Sequence, residues 1–373
     1  MKPVVISGSG LYTPPHSISN DELVDSFNRY VDNYNQQHQS AISAGEMQAL
    51  EHSSSDFIVK ASGIQNRYVM EKSGILDPDF MAPRLSERSD EQPSLLCDMA
   101  VAAAQQALTN SANLAADIDL VIIACSNLQR AYPAIAIEVQ AALGCQGYGY
   151  DINVACSSAT FGIGAAADAI RAGTARRALV INPEVCSGHL DFRDRDCHFI
   201  FGDVATSVVV EAEDDCRSNS AFRILGSKFA TRFSNNIRNN FGFLNRTHPE
   251  TRDARDKLFV QQGRKVFKEL LPMVTNTISA HLDENQLSAT DFKRLWLHQA
   301  NLTMNRFAAK KLLGRDPLAS EMPIVLDQYA NTSSAGSIIA FHLHQQDMKT
   351  SEKGLLCSFG AGYSVGSLIL EKS

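Results

Sequence analysis

The 373 residues are 44% apolar and 20% charged, enough apolar material for a large core in one big or two fused domains. A formal net charge of -7 and a pI near 5.8 exclude the basic surplus of a general nucleic-acid binder, so any basic patch must be local. The opening MKPVVISGSG lacks a basic region ahead of a long apolar run, and no stretch approaches the roughly 18 uninterrupted apolar residues of a membrane span. Eight cysteines (97, 125, 145, 156, 186, 197, 216 and 357) contain no CxxC pair, so a cytoplasmic protein with reduced, mostly buried thiols and no metal site is expected.

In chain order, strands are predicted at Pro3 to Ser7, Asp119 to Cys125, Ala178 to Ile181 and Thr206 to Glu211. Between them lie two small-residue helices, Ser94 to Asn110 and Ser157 to Gly173, each opening on a serine. This alternation predicts an α/β sheet covered by helices. A second series begins near Ala221: strand Phe222 to Leu225, helix Val260 to Leu282, strand Arg294 to Leu297, helix Leu302 to Leu313, helix Ser333 to Gln346, then strands Leu355 to Ser358 and Ser367 to Leu370. The same architecture is expected twice, in halves 1–215 and 216–373, without a repeat of fixed period. Two polar stretches, about 26–92 and about 231–257, interrupt the halves and read as insertions of the lid, specificity-loop or dimer-contact kind.

Four local patterns carry chemistry. In Asp151-Ile-Asn-Val-Ala-Cys156-Ser-Ser-Ala-Thr160 a strand runs into a helix, which puts Cys156 near a helix N-terminus where backbone N–H groups favour its thiolate. His298, in Leu295-Trp-Leu-His298-Gln-Ala-Asn301, ends a strand, the place where α/β sheets collect functional groups; a structural histidine is the plainer reading. Asn331, in Tyr329-Ala-Asn331-Thr-Ser-Ser-Ala-Gly336, reads by itself as a helix cap. Phe359-Gly-Ala-Gly-Tyr363-Ser-Val-Gly366 is a glycine-rich turn between strands, able to bring a backbone N–H close to a substrate oxygen or simply to close a hairpin.

Together, and in this order, these patterns resemble the β-ketoacyl-acyl-carrier-protein synthase III family over nearly the whole chain; HQAN, YANTSSAG and FGAGY are specific as a set. The resemblance implies a thiolase-like fold, a duplicated five-layer α-β-α-β-α arrangement. It implies an acyltransferase with ping-pong kinetics that joins an acyl-coenzyme A primer to malonyl-acyl-carrier protein by decarboxylative Claisen condensation, initiating fatty-acid synthesis. Cys156 would be the acyl-accepting nucleophile, His298 and Asn331 the donors to the malonyl thioester carbonyl, and the N–H groups of Cys156 and Ala361 the oxyanion hole. Coenzyme A enters as a substrate thioester, and no cofactor or metal is implied.

The family's coenzyme A contacts map to Phe57, Ala61 and Ser62, with Lys60 available in place of a missing arginine, and to Arg195 and Asn301. Its acidic carrier protein docks on a basic surface, for which Arg264, Lys265 and Lys268 on one helix and Arg306, Lys310 and Lys311 on another are the candidates; a solvated charged face is the plainer reading. Thr303 stands where the family has a carrier-contacting arginine. Tyr132 matches the residue that reaches across the family's homodimer into the partner's acyl pocket and limits chain length. The insertions and the ACSS wording at Cys156 point to a divergent branch taking a medium-chain primer. A carrier-independent acyl- or malonyl-coenzyme A condensing enzyme of secondary metabolism and a non-catalytic chain-length subunit are the alternatives. A papain-like hydrolase lacks its signature around Cys156.

Overall fold

The computed structural model describes residues 2–239, 249–251 and 258–373. In chain order these form β1 (Val4–Tyr12), β2 (His16–Ser19), α1 (Asn20–Gln37), α2 (Gln39–Ser43), α3 (Ser55–Ser62), β3 (Asn66–Val69), α4 (Leu95–Ser111), β4 (Leu120–Ala124), α5 (Ile135–Leu143), β5 (Tyr148–Ile152), α6 (Ser158–Ala172), β6 (Arg177–Val185) and β7 (Asp203–Ala212). There follow β8 (Phe222–Ser234), β9 (Ile237–Asn239), β10 (Phe259–Gln261), α7 (Gly263–Glu284), β11 (Phe292–Leu297), α8 (Leu302–Leu313), α9 (Leu326–Tyr329), α10 (Gly336–Leu343), β12 (Lys353–Gly360) and β13 (Gly362–Lys372).

Nine strands run β11-β12-β13-β8-β1-β7-β6-β4-β5. The two arms repeat one pattern. In the first, β1 pairs β7 and β7 pairs β6 antiparallel, while β6 pairs β4 in parallel; in the second, β8, β13, β12 and β11 do the same. In the sheet the arms meet where β1 pairs β8, at Val5 with Arg223 and Ile6 with Phe222. Helix α6 packs on β4, β6 and β7 of one arm and on β12 and β13 of the other, and α10 likewise touches both, so these helices are a central layer. With α4 and α5 outside one arm and α7 and α8 outside the other, the layers stack α-β-α-β-α.

A helix buried on both sides needs small residues. In α6 a Cβ added to Gly162 would lie 2.9 Å from both the Ala124 Cβ and a Val180 methyl, and one on Gly164 would strike the Phe229 ring. Strands β4, β6 and β7 are almost wholly buried and rich in Val, Ile and Leu, as expected where a sheet is covered on both faces.

The 26–92 stretch differs from its expected loop-like character. It begins inside α1, whose N-cap Ser19 forms a capping box with Glu22, and Leu23, Phe27, Val31, Ile58, Ile64 and Val69 are buried in one core with Leu190, Phe192, Phe199 and Phe201. The apolar residues sit at helical spacing in a polar sequence, which the polar composition obscured. Of 231–257, the start continues β8 and forms β9; most of the remainder lies outside the described residues.

Candidate active site

Four chain connections meet at one cavity. Cys156 lies between β5 and α6, two residues ahead of the first helical residue, on a tight bend in which Ala155 takes φ +47°. Ser158 holds that bend: its hydroxyl accepts from the Val154 N–H at 2.8 Å and donates to the Ala155 carbonyl at 2.7 Å. The β12–β13 turn comes close enough that a Cβ on Gly360 would sit 2.6 Å from the Cys156 Cβ, so only glycine fits there. The backbone N–H groups of Ala361 and of Cys156 itself favour the charged form of the sulfur.

Burial nevertheless pushes the thiol up to about 11, and the adjacent Glu184 carboxylate adds to the rise. The expected thiolate-favouring helix terminus is therefore outweighed. Desolvation of the charged form dominates, while the hydroxyl of Ser333 and the two backbone N–H groups act against it.

His298 follows β11 directly. Its N–H donates to the Cys357 carbonyl at 2.8 Å, its carbonyl accepts from Asn305 Nδ2 at 2.8 Å, and Phe359 packs edge-on to its ring at 5.3 Å. Both ring nitrogens are buried without a partner among the described residues, and burial lowers the pKa to about 4. The imidazole is neutral at pH 7 and faces the same cavity as Cys156.

Asn331 follows α9 and is fixed by backbone bonds to Ile200 at 3.0 Å and Gly202 at 3.1 Å. Its Oδ1 accepts the Ser333 N–H at 2.9 Å, so Nδ2 is the group left to donate. The cap reading fails because the α-helix starts only at Gly336; Asn331 closes a local turn instead.

The cavity has a volume of about 420 Å³, within the usual range of ligand sites, and is lined by Cys156, His298 and Asn331 at one end. Among the expected coenzyme A contacts, Ala61, Ser62 and Asn301 line it, and Asn301 Nδ2 donates to the Ala61 carbonyl at 2.9 Å. Phe57 and Arg195 stand outside the lining: the Arg195 guanidinium lies 4.6 Å over the Phe57 ring, and Phe57 packs edge-on to Phe199 at 5.9 Å. Lys60 is exposed. Tyr132, 84% exposed, does not enter the cavity of its own chain.

The six basic candidates are all exposed on α7 and α8, which pack together through Phe267 and Phe307. Phe267 and Thr303 line the cavity, so the patch borders its mouth. Lys310 pairs with Asp316 at 3.1 Å and Lys311 donates to Thr275 Oγ1 at 3.0 Å, which leaves Arg264, Lys265, Lys268 and Arg306 as the less committed charges.

Two features escaped sequence reasoning. The apolar wall, with Phe201, Ile237, Phe259, Val266 and Leu270, comes from short segments with no motif. The serines after Asn331 looked like helix-opening residues, yet Ser333 donates to the Cys156 sulfur at 3.3 Å.

Residues 150–232 match the family described as 3-oxoacyl-[acyl-carrier-protein] synthase III, and residues 282–372 match its C-terminal part. A β-ketodecanoyl-[acyl-carrier-protein] synthase of Pseudomonas aeruginosa is 61% identical over 349 residues, covering 94% of this chain and all of that protein. A β-ketoacyl-[acyl-carrier-protein] synthase III of Agrobacterium fabrum is 30% identical, covering 87% of this chain and 93% of that one. Among solved structures, the 3-oxoacyl-[acyl-carrier-protein] synthase III of Aquifex aeolicus superposes with a TM-score of 0.76 at 23% identity, over 99% of both chains. The fold is accordingly the thiolase-like, duplicated five-layer arrangement.

Proposed function

The chain belongs to the 3-oxoacyl-[acyl-carrier-protein] synthase III family, and from that premise we propose that Cys156 takes a medium-chain acyl group, of eight carbons, from coenzyme A and passes it to malonyl-acyl-carrier protein. The enzyme is a condensing acyltransferase of fatty-acid synthesis. The primer length rests on the name of the Pseudomonas relative: a ten-carbon β-keto product contains two carbons of malonyl origin, so eight arrive with the primer.

The observation that carries the reading is the meeting of Cys156, His298 and Asn331 at one cavity, with the Gly360 turn closing on Cys156. In the first half-reaction the Cys156 thiolate attacks the acyl thioester carbonyl. The oxyanion is met by the N–H groups of Cys156 and Ala361, and coenzyme A leaves as its thiolate and takes up a proton. In the second, the malonyl thioester loses CO2, and the resulting enolate oxygen accepts hydrogen bonds from His298 and Asn331 Nδ2. The enolate carbon then bonds to the acyl carbon as the bond to Cys156 breaks. A neutral imidazole suits this role, since it donates from one nitrogen without adding a charge to a dry site.

The basic face of α7 and α8 supports docking of an acidic carrier protein at the mouth. The unpaired edge of β5, where exposed Tyr148 and Tyr150 stack at 6.4 Å, supports a homodimer in which Tyr132 reaches the partner's acyl pocket. The sparse link between β1 and β8 supports the division into halves near residue 215. Eight free cysteines support a reducing, cytoplasmic setting, and no helix among the described residues is long and apolar enough to cross a membrane.

The test is intact-protein mass after wild type and Cys156→Ala meet acetyl-, butyryl-, octanoyl- and dodecanoyl-coenzyme A without a malonyl donor. Acylation of wild type alone, strongest with octanoyl, is expected; equal labelling by acetyl would overturn the medium-chain reading.

A further inference from the structure

Within the segment Asn331 to Ala335, one side chain reaches the nucleophile itself. Ser333, 3% exposed, donates its hydroxyl to the Cys156 sulfur at 3.3 Å. Its backbone stands at φ +50°, a left-handed conformation that non-glycine residues rarely adopt, and it is held there by the bond from its N–H to Asn331 Oδ1. The next residue is tied down separately. Ser334 donates both its N–H, at 3.3 Å, and its hydroxyl to Glu184, a wholly buried carboxylate at the end of β6. Glu184 also accepts the N–H of Ser126 at 2.9 Å and its hydroxyl at 2.6 Å. One carboxylate thus joins the ends of β4 and β6 to the turn that carries Ser333, and it has no part in the two half-reactions described above.

We propose that Ser333 is a further catalytic residue, the side-chain hydrogen-bond donor that stabilises the Cys156 thiolate, and that Glu184 is the positioning residue that fixes Ser333 through Ser334. This rests on Cys156 being the nucleophile. The physical need for such a donor comes from the cavity itself: apolar walls that suit an acyl chain also penalise a thiolate, and a hydrogen bond to the charged form offsets that penalty. Of the groups that favour the thiolate, the Ser333 hydroxyl contributes most, ahead of the Ala361 and Cys156 N–H groups. Glu184 also acts on the sulfur, its negative charge opposing the thiolate; Cys186, pushed well above the usual thiol range by burial, stays neutral, as do His298 and Asn331 in the cavity.

The experiment is alkylation of Cys156 by iodoacetamide, followed by peptide mass across a pH series, in wild type, Ser333→Ala, Ser333→Gly and Glu184→Gln. Wild type is first acylated with octanoyl-coenzyme A; if Cys156 takes no acyl group, the functional reading has failed and not this one. With that established, Ser333→Ala and Ser333→Gly are expected to slow alkylation near pH 8 equally, about ten- to hundredfold, with the profile displaced to higher pH. Glycine relieves the left-handed backbone while alanine does not, so unequal losses, or none, overturn the hydroxyl's role. Loss of a nearby negative charge would by itself speed alkylation. A slower rate in Glu184→Gln therefore reads lost positioning, and an unchanged or faster rate overturns the anchor.

Discussion

The two ends of the cavity are built by different means. At the polar end the backbone of His298 is bonded to β12 and that of Asn331 to residues 200 and 202, and Gly360 beside Cys156 has no room even for a methyl group. At the apolar end the wall is assembled from side chains, with Phe259 on β10 packed edge-on to Phe201 at 4.7 Å and Ile237 on the paired β9. Reaction chemistry therefore rests on topology, which substitution rarely moves, and chain-length choice on packing, which substitution moves easily. Strands β9 and β10 flank the stretch 240–257, so the wall borrows from the interrupting segment while the polar end does not.

The sharpest way to break this contrast is to remove a polar-end donor. His298→Ala and Asn331→Ala are each expected to lower condensation with malonyl-acyl-carrier protein about 10²- to 10³-fold, the usual cost of one donor to a developing oxyanion. Acylation of Cys156 by octanoyl-coenzyme A should continue in both, because the oxyanion of that step is met by backbone N–H groups. Separate assays of the two half-reactions check it, and equal loss in both would mean that the donors also serve the first.

A smaller effect concerns stability and acid. Burial lowers His298 to about 4, and His189 and His281 to about 4 and His198 to about 3, against 6.5 for a free imidazole. Between these values the unfolded chain binds protons that the folded chain refuses, so stability is full above about pH 6.5 and falls as pH drops towards 4. For the fully buried His298 the loss amounts to about 3 kcal/mol. Thermal unfolding from pH 7.5 to 4.5 should show Tm falling below pH 6.5, and His298→Gln should flatten part of that slope. A Tm independent of pH over this window would show that these imidazoles can take up protons in place.

The unequal construction also explains what could be read in the sequence. Helix Leu302 to Leu313 and the Ser94 and Ser157 helix starts matched closely, because caps and small-residue faces leave local signals. Cys156, His298, Asn331 and Ala361 were picked out by the order of four motifs that resemble the family, whereas taken singly His298 reads as structural and Asn331 as a cap. Ser333 was legible as a residue but not as a role, because what it touches lies 177 positions away. Helix α5 was missed, and β5 was read only from its end at Asp151: it is an edge strand carrying tyrosines and glycine in place of a continuous apolar run. The wall was not legible at all, since Phe201 and Phe259 differ from other buried phenylalanines only through their position in three dimensions.

The smallest expected change tests the wall directly. Phe259→Leu shortens one side of the cavity without removing all of the buried surface that the ring supplies to its core, so the fold should persist. The room gained is of the order of a methylene or two, and pockets of this kind discriminate by roughly tenfold per methylene. The ratio of dodecanoyl to octanoyl acylation should rise by about that factor, with the rate of condensation from the octanoyl enzyme little altered. Competition between the two thioesters, read by mass on Cys156, gives the ratio. If it stays at the wild-type value while Tyr132→Ala shifts it, length is set by the residue that a second copy contributes, and packing within one chain has less authority over the substrate than the contrast between the two ends assigns it.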